Sequence, residues 1–526
     1  MTRRTLAGAA LAVAAVTVAA RVFGFLRVAV FARTVGTNPL GDTYQTANTL
    51  PNLVFELVAG GALAAAVVPV IAGAVDRGDV EQARRVAAGL LTWVVVLLTP
   101  VALAGALLGR PLMSLLVGST GDPALRAAKV DVGARMLVLF MPQVVLYGVG
   151  IVVTGVLQAH RRFLGPALAP LLSSVVVIGC YVTYGVVSRA GGLDGLTRGE
   201  ELLLALGTTA GVAVLSLSLL VPLRGLGLRL RPSLSLPDGV ASSVRRLAAA
   251  GVAAIAAQQV ALAVVLRLTN AEPGAVVGYQ IAYTLFLLPW AVLAVPVATT
   301  AFPAMAAAYE GSDDESYATV TAGSLRMVLL AMGLAAAVLV ASADPVASVV
   351  VGDSSSPVAR GVAAFAPGLL GYGVLALLTR ALYARHRARD VAVATVAAFG
   401  VTAVLAVTLS SFLPRADRVA AVAWAHSVGM TAGGVLLMLA LRRTAGSAAL
   451  RGAARALLIA VGAGVVAALV GGLAADASSA APDWLAAIAT PILTASLYVT
   501  AIALVHPATA TEVRTQLARS RADRGA

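Results

Sequence analysis

From residue 21 to residue 69 the sequence reads RVFGFLRVAVFARTVGTNPLGDTYQTANTLPNLVFELVAGGALAAAVVP, which sets Arg21, Arg27, Asp42 and Glu56 among apolar neighbours. An ionisable group in hydrocarbon costs about 2.5–3.5 kcal/mol on insertion scales, so it is kept facing a watery cavity or a charged ligand. Arg21 and Arg27 are six residues apart, roughly 120° around an ideal helix. Both can line one broad cavity, particularly if Gly24 between them lets the helix bend. Because Arg stays protonated and grips phosphate bidentately, such a pair suits an anionic pyrophosphate better than a cation or a neutral drug. The alternatives are helix-end snorkelling of the arginines and a structural pair between Arg27 and Glu56.

The second helix adds Pro51 and Asn52 to this set. Pro51 interrupts the backbone ladder, and Asn52 can bond freed backbone groups or a ligand. Glu56 reads as a counter-ion to Arg27, as a proton or cation site, or as a structural partner. Asp42, at the mouth of the cavity, reads as a turn or helix cap or as part of a gate. Gly60 and Gly61 suit close helix packing. Gln258 and Gln259 face either a cavity or another helix, and Arg135, Arg267, Arg326 and Arg380 lie near span ends.

Other chemistries find little support. Lys129, the sole lysine, follows Ala128 and precedes Val130, so no phosphate-binding loop of the Gly-Lys-Ser/Thr type exists. The histidines His160, His386, His426 and His506 lack metal-ligand spacing, and Cys180 stands alone in an apolar run. No metal, cofactor or enzymatic site is expected. The net charge of +14 resides almost wholly in short arginine clusters between apolar runs, which read as topology signals and not as a nucleic-acid surface.

The elements that must position these residues are membrane helices. The chain is 60% hydrophobic and only 12% charged, against roughly a quarter charged in a soluble domain. Each span needs about 20 apolar residues. Apolar runs bounded by Arg clusters and Gly/Pro turns predict an all-α, polytopic membrane protein of about fourteen spans. They begin with 7–33 and 46–75, include 360–384 as the tenth, and end with 484–505. The N-terminal run MTRRTLAGAALAVAAVTVAA imitates a secretory signal, but the apolar pattern continues past Arg21, so the first helix is expected to stay. Arginine-rich loops alternate with arginine-poor ones, which predicts that both termini are cytoplasmic.

An internal echo divides the chain. Residues 142–162 align without gaps on 367–387, pairing Pro142/Pro367, Tyr147/Tyr372, Gly148/Gly373, Val149/Val374, Thr154/Thr379, Leu157/Leu382, Ala159/Ala384 and Arg162/Arg387. Leu50-Pro51 pairs more weakly with Leu288-Pro289. Parallel repeats of this kind predict two pseudo-symmetric six-helix bundles, 1–222 and 223–442, followed by two additional helices and a basic tail over 443–526.

The run R-V-x-G-F-x-R, followed by G-D-x-Y, L-P-N and A-G-G-A-L-x-x-x-V-V-P, resembles the MurJ/MviN family of lipid II flippases, within the multidrug/oligosaccharidyl-lipid/polysaccharide exporter superfamily. The likeness returns from Ala282 to Pro296. It implies a central cavity, a C-terminal helix pair grooved for a lipid tail, and location in the bacterial cytoplasmic membrane. It further implies flipping of an undecaprenyl-pyrophosphate-linked peptidoglycan precursor by alternating access, with cell-wall synthesis or division proteins as candidate partners. Arg21 and Arg27 match the two first-span arginines of the family, and Asp42 and Asn52 match its acidic and L-P-N positions. Val28, Phe55-Glu56 and Thr284 depart from it, where many members have an acidic residue and further basic residues; these departures resemble the actinobacterial branch. The alternatives are an exporter of another polyprenyl-linked glycan, a MATE-like antiporter, and a non-transporting cell-wall scaffold paralogue.

Overall fold

The computed structural model describes residues 3–57, 67, 71–188, 192–227, 231–235, 240–352, 355–477 and 482–505. It divides into two compact units, Met1–Val277 and Gly278–Ala526. Helices and short turns make up both; no strand occurs among the described residues.

The first unit contains α1 (Arg3–Thr34), α2 (Pro39–Phe55), α3 (Val80–Leu107), α4 (Gly109–Val117), α5 (Pro123–Phe140), α6 (Gln143–Ala159), α7 (Leu164–Val187), α8 (Arg198–Leu217), α9 (Leu220–Arg224), α10 (Val240–Thr269) and the start of α11 (Ala275–Pro289). Local chemistry sets the helix starts. Asn38 accepts the Gly41 N–H at 3.0 Å with Pro39 at the first helical position, and Thr197 and Glu200 close a capping box on α8. The core forms where α1, α2, α5 and α7 present Phe31, Tyr44, Phe140 and Tyr181. Their ring centroids lie 5.0–6.0 Å apart in tilted and edge-on pairs. Tyr44 is fully buried, and its hydroxyl is shared with Tyr181 at 2.8 Å and with Thr208. Cys180 donates to the Leu203 carbonyl across α7 and α8, a packing role.

The second unit continues through a π-helical turn (Trp290–Ala294) into α12 (Val295–Glu310), α13 (Asp314–Ala341), α14 (Ala343–Val351), α15 (Ser355–Phe365), α16 (Gly368–Ala384), α17 (Ala388–Phe412), α18 (Arg418–Ala445), α19 (Ala453–Ala477) and α20 (Asp483–Val505). Asp313 caps α13, and the Ser316 hydrogen bonds hold its carboxyl below the usual range. Glycines allow the closest approaches: a Cβ on Gly371 would lie 2.5 Å from the Thr431 backbone. The two last helices are anchored on α13, where the Tyr498 hydroxyl donates to the Leu330 carbonyl at 2.8 Å.

The sequence echo is also an echo of geometry. Pro142 and Pro367 each precede a 17-residue helix with nearly the same backbone angles, φ −57° and −59°. Those helices end at the left-handed residues Arg161 (φ 58°) and His386 (φ 57°). Arg162 N–H then bonds Leu157 O at 2.8 Å, and Arg387 N–H bonds Leu382 O at 2.9 Å. The match extends upstream, where α4 and α14 both have nine residues and stop at positive-φ glycines, Gly118 and Gly352.

Twelve described helices are long and apolar enough to cross a membrane, and the pair Ser355–Phe365 and Gly368–Ala384, bent by 46°, makes a thirteenth. That pair is the expected tenth span, broken at Ala366-Pro367. The expected span 46–75 runs through residues outside those described, as do Gly60, Gly61 and the arginines of the 514–524 tail. The chain is a multi-pass membrane protein.

Candidate functional site

α1 carries both arginines on one unbroken helix, since it remains helical through Gly24. Nothing lies within 4 Å of where a Cβ on Gly24 would sit, so that glycine serves no close packing here. Arg21 is exposed and Arg27 half-buried. Among the described residues neither has an ion-pair partner within 4.0 Å. A guanidinium with no carboxylate partner among the described residues has the chemistry to attract an anion.

The second helix carries the other candidates. Pro51 is buried, Asn52 exposed and Glu56 half-buried. With no N–H at Pro51 the helical ladder loosens, and the backbone passes into π geometry at Glu56 and Leu57. Phe55 packs on Tyr147 with ring centroids 5.7 Å apart. The same motif recurs at Leu288-Pro289, where a π turn follows and Trp290 stacks on Tyr372 at 4.7 Å. Glu56 makes no ion pair with Arg27 within 4.0 Å, so the structural pair expected between them is not formed. Gln258 is exposed, whereas Gln259 is buried with its Oε1 atom unpartnered among the described residues.

Asp42 occupies a different place from the arginines. It is fully buried and accepts three backbone hydrogen bonds at the start of α11: Gly274 N–H at 2.7 Å, Val276 at 3.0 Å and Val277 at 3.2 Å. Gly274 has φ +79° and lies against the Thr37 carbonyl, so it has neither room for a side chain nor one with which to cap the helix. The carboxylate of α2 supplies the cap instead, satisfying donors that a helix start leaves open and sitting at the positive end of its dipole. Close by, Asn270 Nδ2 donates to Thr46 Oγ1 at 2.8 Å.

Sequence reasoning missed the counter-ion of Asp42. Lys129 on α5 is 1% exposed, its Nζ 3.7 Å from Asp42 Oδ2, and it donates to the Asn270 carbonyl at 3.1 Å. The available signal was that Lys129 is the sole lysine of the chain, in a segment that also holds Arg126, Asp131 and Arg135. Arg135 also finds a partner, donating to Glu201 Oε2 at 2.8 Å, and Glu201 takes a second bond from Arg198. Arg267, Arg326 and Arg380 donate to backbone carbonyls, of Leu115, Arg451 and Ala376.

Comparison with known proteins follows the same lines. Residues 31–494 match the family described as "Lipid II flippase MurJ". A "Probable lipid II flippase MurJ" of Rhizobium meliloti is 28% identical over 63% of this chain and 60% of its own length, so the match spans less than two thirds of that relative. The "Lipid II flippase MurJ" of Burkholderia cenocepacia is 25% identical over 83% of each chain. Among solved structures, "Lipid II flippase MurJ, inward closed conformation" aligns with TM-score 0.74 at 14% identity, covering 94% of this chain and 98% of that one. An inward-facing MATE transporter of the MOP superfamily aligns with TM-score 0.65 over 81% of this chain and 95% of its own.

Proposed function

Because this chain belongs to the lipid II flippase MurJ family, we propose that it carries lipid II across the bacterial cytoplasmic membrane, from the inner to the outer leaflet, as a transporter and not an enzyme. The observation that carries this reading is the arginine pair on α1, neither member of which has an ion-pair partner within 4.0 Å among the described residues.

Guanidiniums hold a pyrophosphate by charge-assisted, bidentate hydrogen bonds. The sugar-peptide head accompanies the anion through the protein while the polyprenyl tail stays in lipid along α19 and α20. Arginine asymmetry assigns both termini to the cytoplasm and the Asp42 end of the molecule to the outside. In this reading the Asp42 cap on α11 is a contact of the state in which the α1 arginines load from the inner leaflet. Breaking the cap exposes them outward. Each charge moved across the membrane potential is worth about 2.3 kcal/mol per 100 mV, a drive that requires no nucleotide.

Binding of lipid II to purified protein tests this directly. Each lost charge-assisted contact costs about 1.5–3 kcal/mol, so Arg27→Ala is expected to weaken binding roughly 10- to 100-fold. An undecaprenol of the same length without pyrophosphate should bind wild type and variant alike. Equal lipid II affinity in both proteins would reject the reading.

A further inference from the structure

The chain has one lysine, and the structure buries it at the point where three helices meet. Lys129 on α5 reaches the Asp42 carboxylate of α2 at 3.7 Å and the Asn270 carbonyl, just past the end of α10, at 3.1 Å. The turn from Asn270 to Gly274 therefore has a charge of matching sign at each side. The ammonium faces the negative, carbonyl end of α10, and the carboxylate faces the positive, amide end of α11. Each ion alone in this setting would be a buried, uncompensated charge, which is strongly unfavourable; together they neutralise one another.

We propose that Lys129 is a positioning residue for closure at the Asp42 end. It keeps Asp42 in place as the cap of α11 by neutralising it, and it ties α5 to the α10–α11 turn, so that the cap, the turn and α5 engage or release as one unit. An apolar side chain of the same length would fill the space yet leave the carboxylate uncompensated. The cap would then be weakened by charge and not by packing.

This rests on reading the Asp42 cap as the closed state, and it is tested by a readout of closure that does not depend on transport. In a Cys180→Ala background, Val277→Cys places a thiol at a position 1% exposed in the closed arrangement. Its reaction with a membrane-impermeant maleimide reports opening. Lys129→Met is expected to raise the labelling rate at least tenfold. Lys129→Arg, which keeps the charge, should stay within about threefold of wild type, and Lys129→Met combined with Asp42→Asn should label more slowly than Lys129→Met alone. Labelling of Lys129→Met at the wild-type rate overturns the proposal. So do effects of the two substitutions that simply multiply, which would mark independent packing contributions. If Lys129→Met does not accumulate in membranes, the double variant decides: accumulation supports neutralisation of a buried pair, and its absence overturns it. Lipid II binding unchanged in Lys129→Arg shows that a failure here is separate from a failure of the arginine site.

Discussion

The carboxylate of Asp42 and the backbone amide of Gly274, 232 residues apart in sequence, meet at 2.7 Å in the interior of the first unit. A helix that begins at a glycine has no side chain of its own to satisfy its first amides, and here the second helix of the chain supplies one. The consequence is a long-range cap: α11 is held at its first turn by α2, and α2 is held by Lys129 of α5.

Asp42→Ala removes the acceptor for three amides and strips Lys129 of its counter-ion. Breaking a buried pair from one side costs about 3–5 kcal/mol. Thermal unfolding in detergent should show the lower midpoint, with Asp42→Glu less affected because the charge is retained. An unchanged midpoint for the alanine variant would mean that the cap contributes nothing to stability.

Glu201 is a second buried acid, 2% exposed, that accepts from Arg135 of α5 and from Arg198. Glu201→Gln keeps its shape and loses its charge, at a cost of about 1.5–3 kcal/mol. A lowered midpoint with lipid II affinity preserved is the expected pattern. Loss of affinity in a protein of normal stability would move this pair into the transport site.

Two glycines separate packing from propensity. A Cβ on Gly371 would meet the Thr431 backbone at 2.5 Å, whereas one on Gly179 meets nothing within 4 Å. Gly371→Ala is therefore expected to destabilise by about 1–3 kcal/mol through overpacking. Gly179→Ala should stabilise α7 by up to about 1 kcal/mol, since alanine is the better helix former. The same detergent melts distinguish them, and a like response from both would argue against the α16–α18 contact.

Much of the fold was legible because membrane spans advertise themselves by length and apolarity, and because the repeat preserves Pro142/Pro367 and the Arg162/Arg387 turns that shape the backbone. The arginines of α1 were legible for the same reason: charge is conspicuous in an apolar run. The Asp42–Lys129 pair was not, although both residues were visible, because pairing across 87 positions of chain depends on how α2, α5 and α11 pack and no periodicity encodes that. Nor did the absence of an Arg27–Glu56 pair follow from spacing, since it depends on how α1 and α2 are placed in the fold. The break in the tenth span at Pro367 could have been read from the proline, whereas the break expected at Pro51 is not seen there, since α2 runs helical through it to Phe55.

Arg27 is the residue proposed to hold the pyrophosphate of a lipid while it crosses. The most direct measurement is the leaflet distribution of lipid II in cells whose own flippase is depleted and replaced by this protein, scored with a membrane-impermeant hydrolase that cleaves only outward-facing precursor. Wild type should restore the cleavable pool, and Arg27→Ala, present in membranes at the same level, should leave precursor uncleaved in the inner leaflet. An Arg27→Ala protein that restores the cleavable pool as fully as wild type would contradict the account.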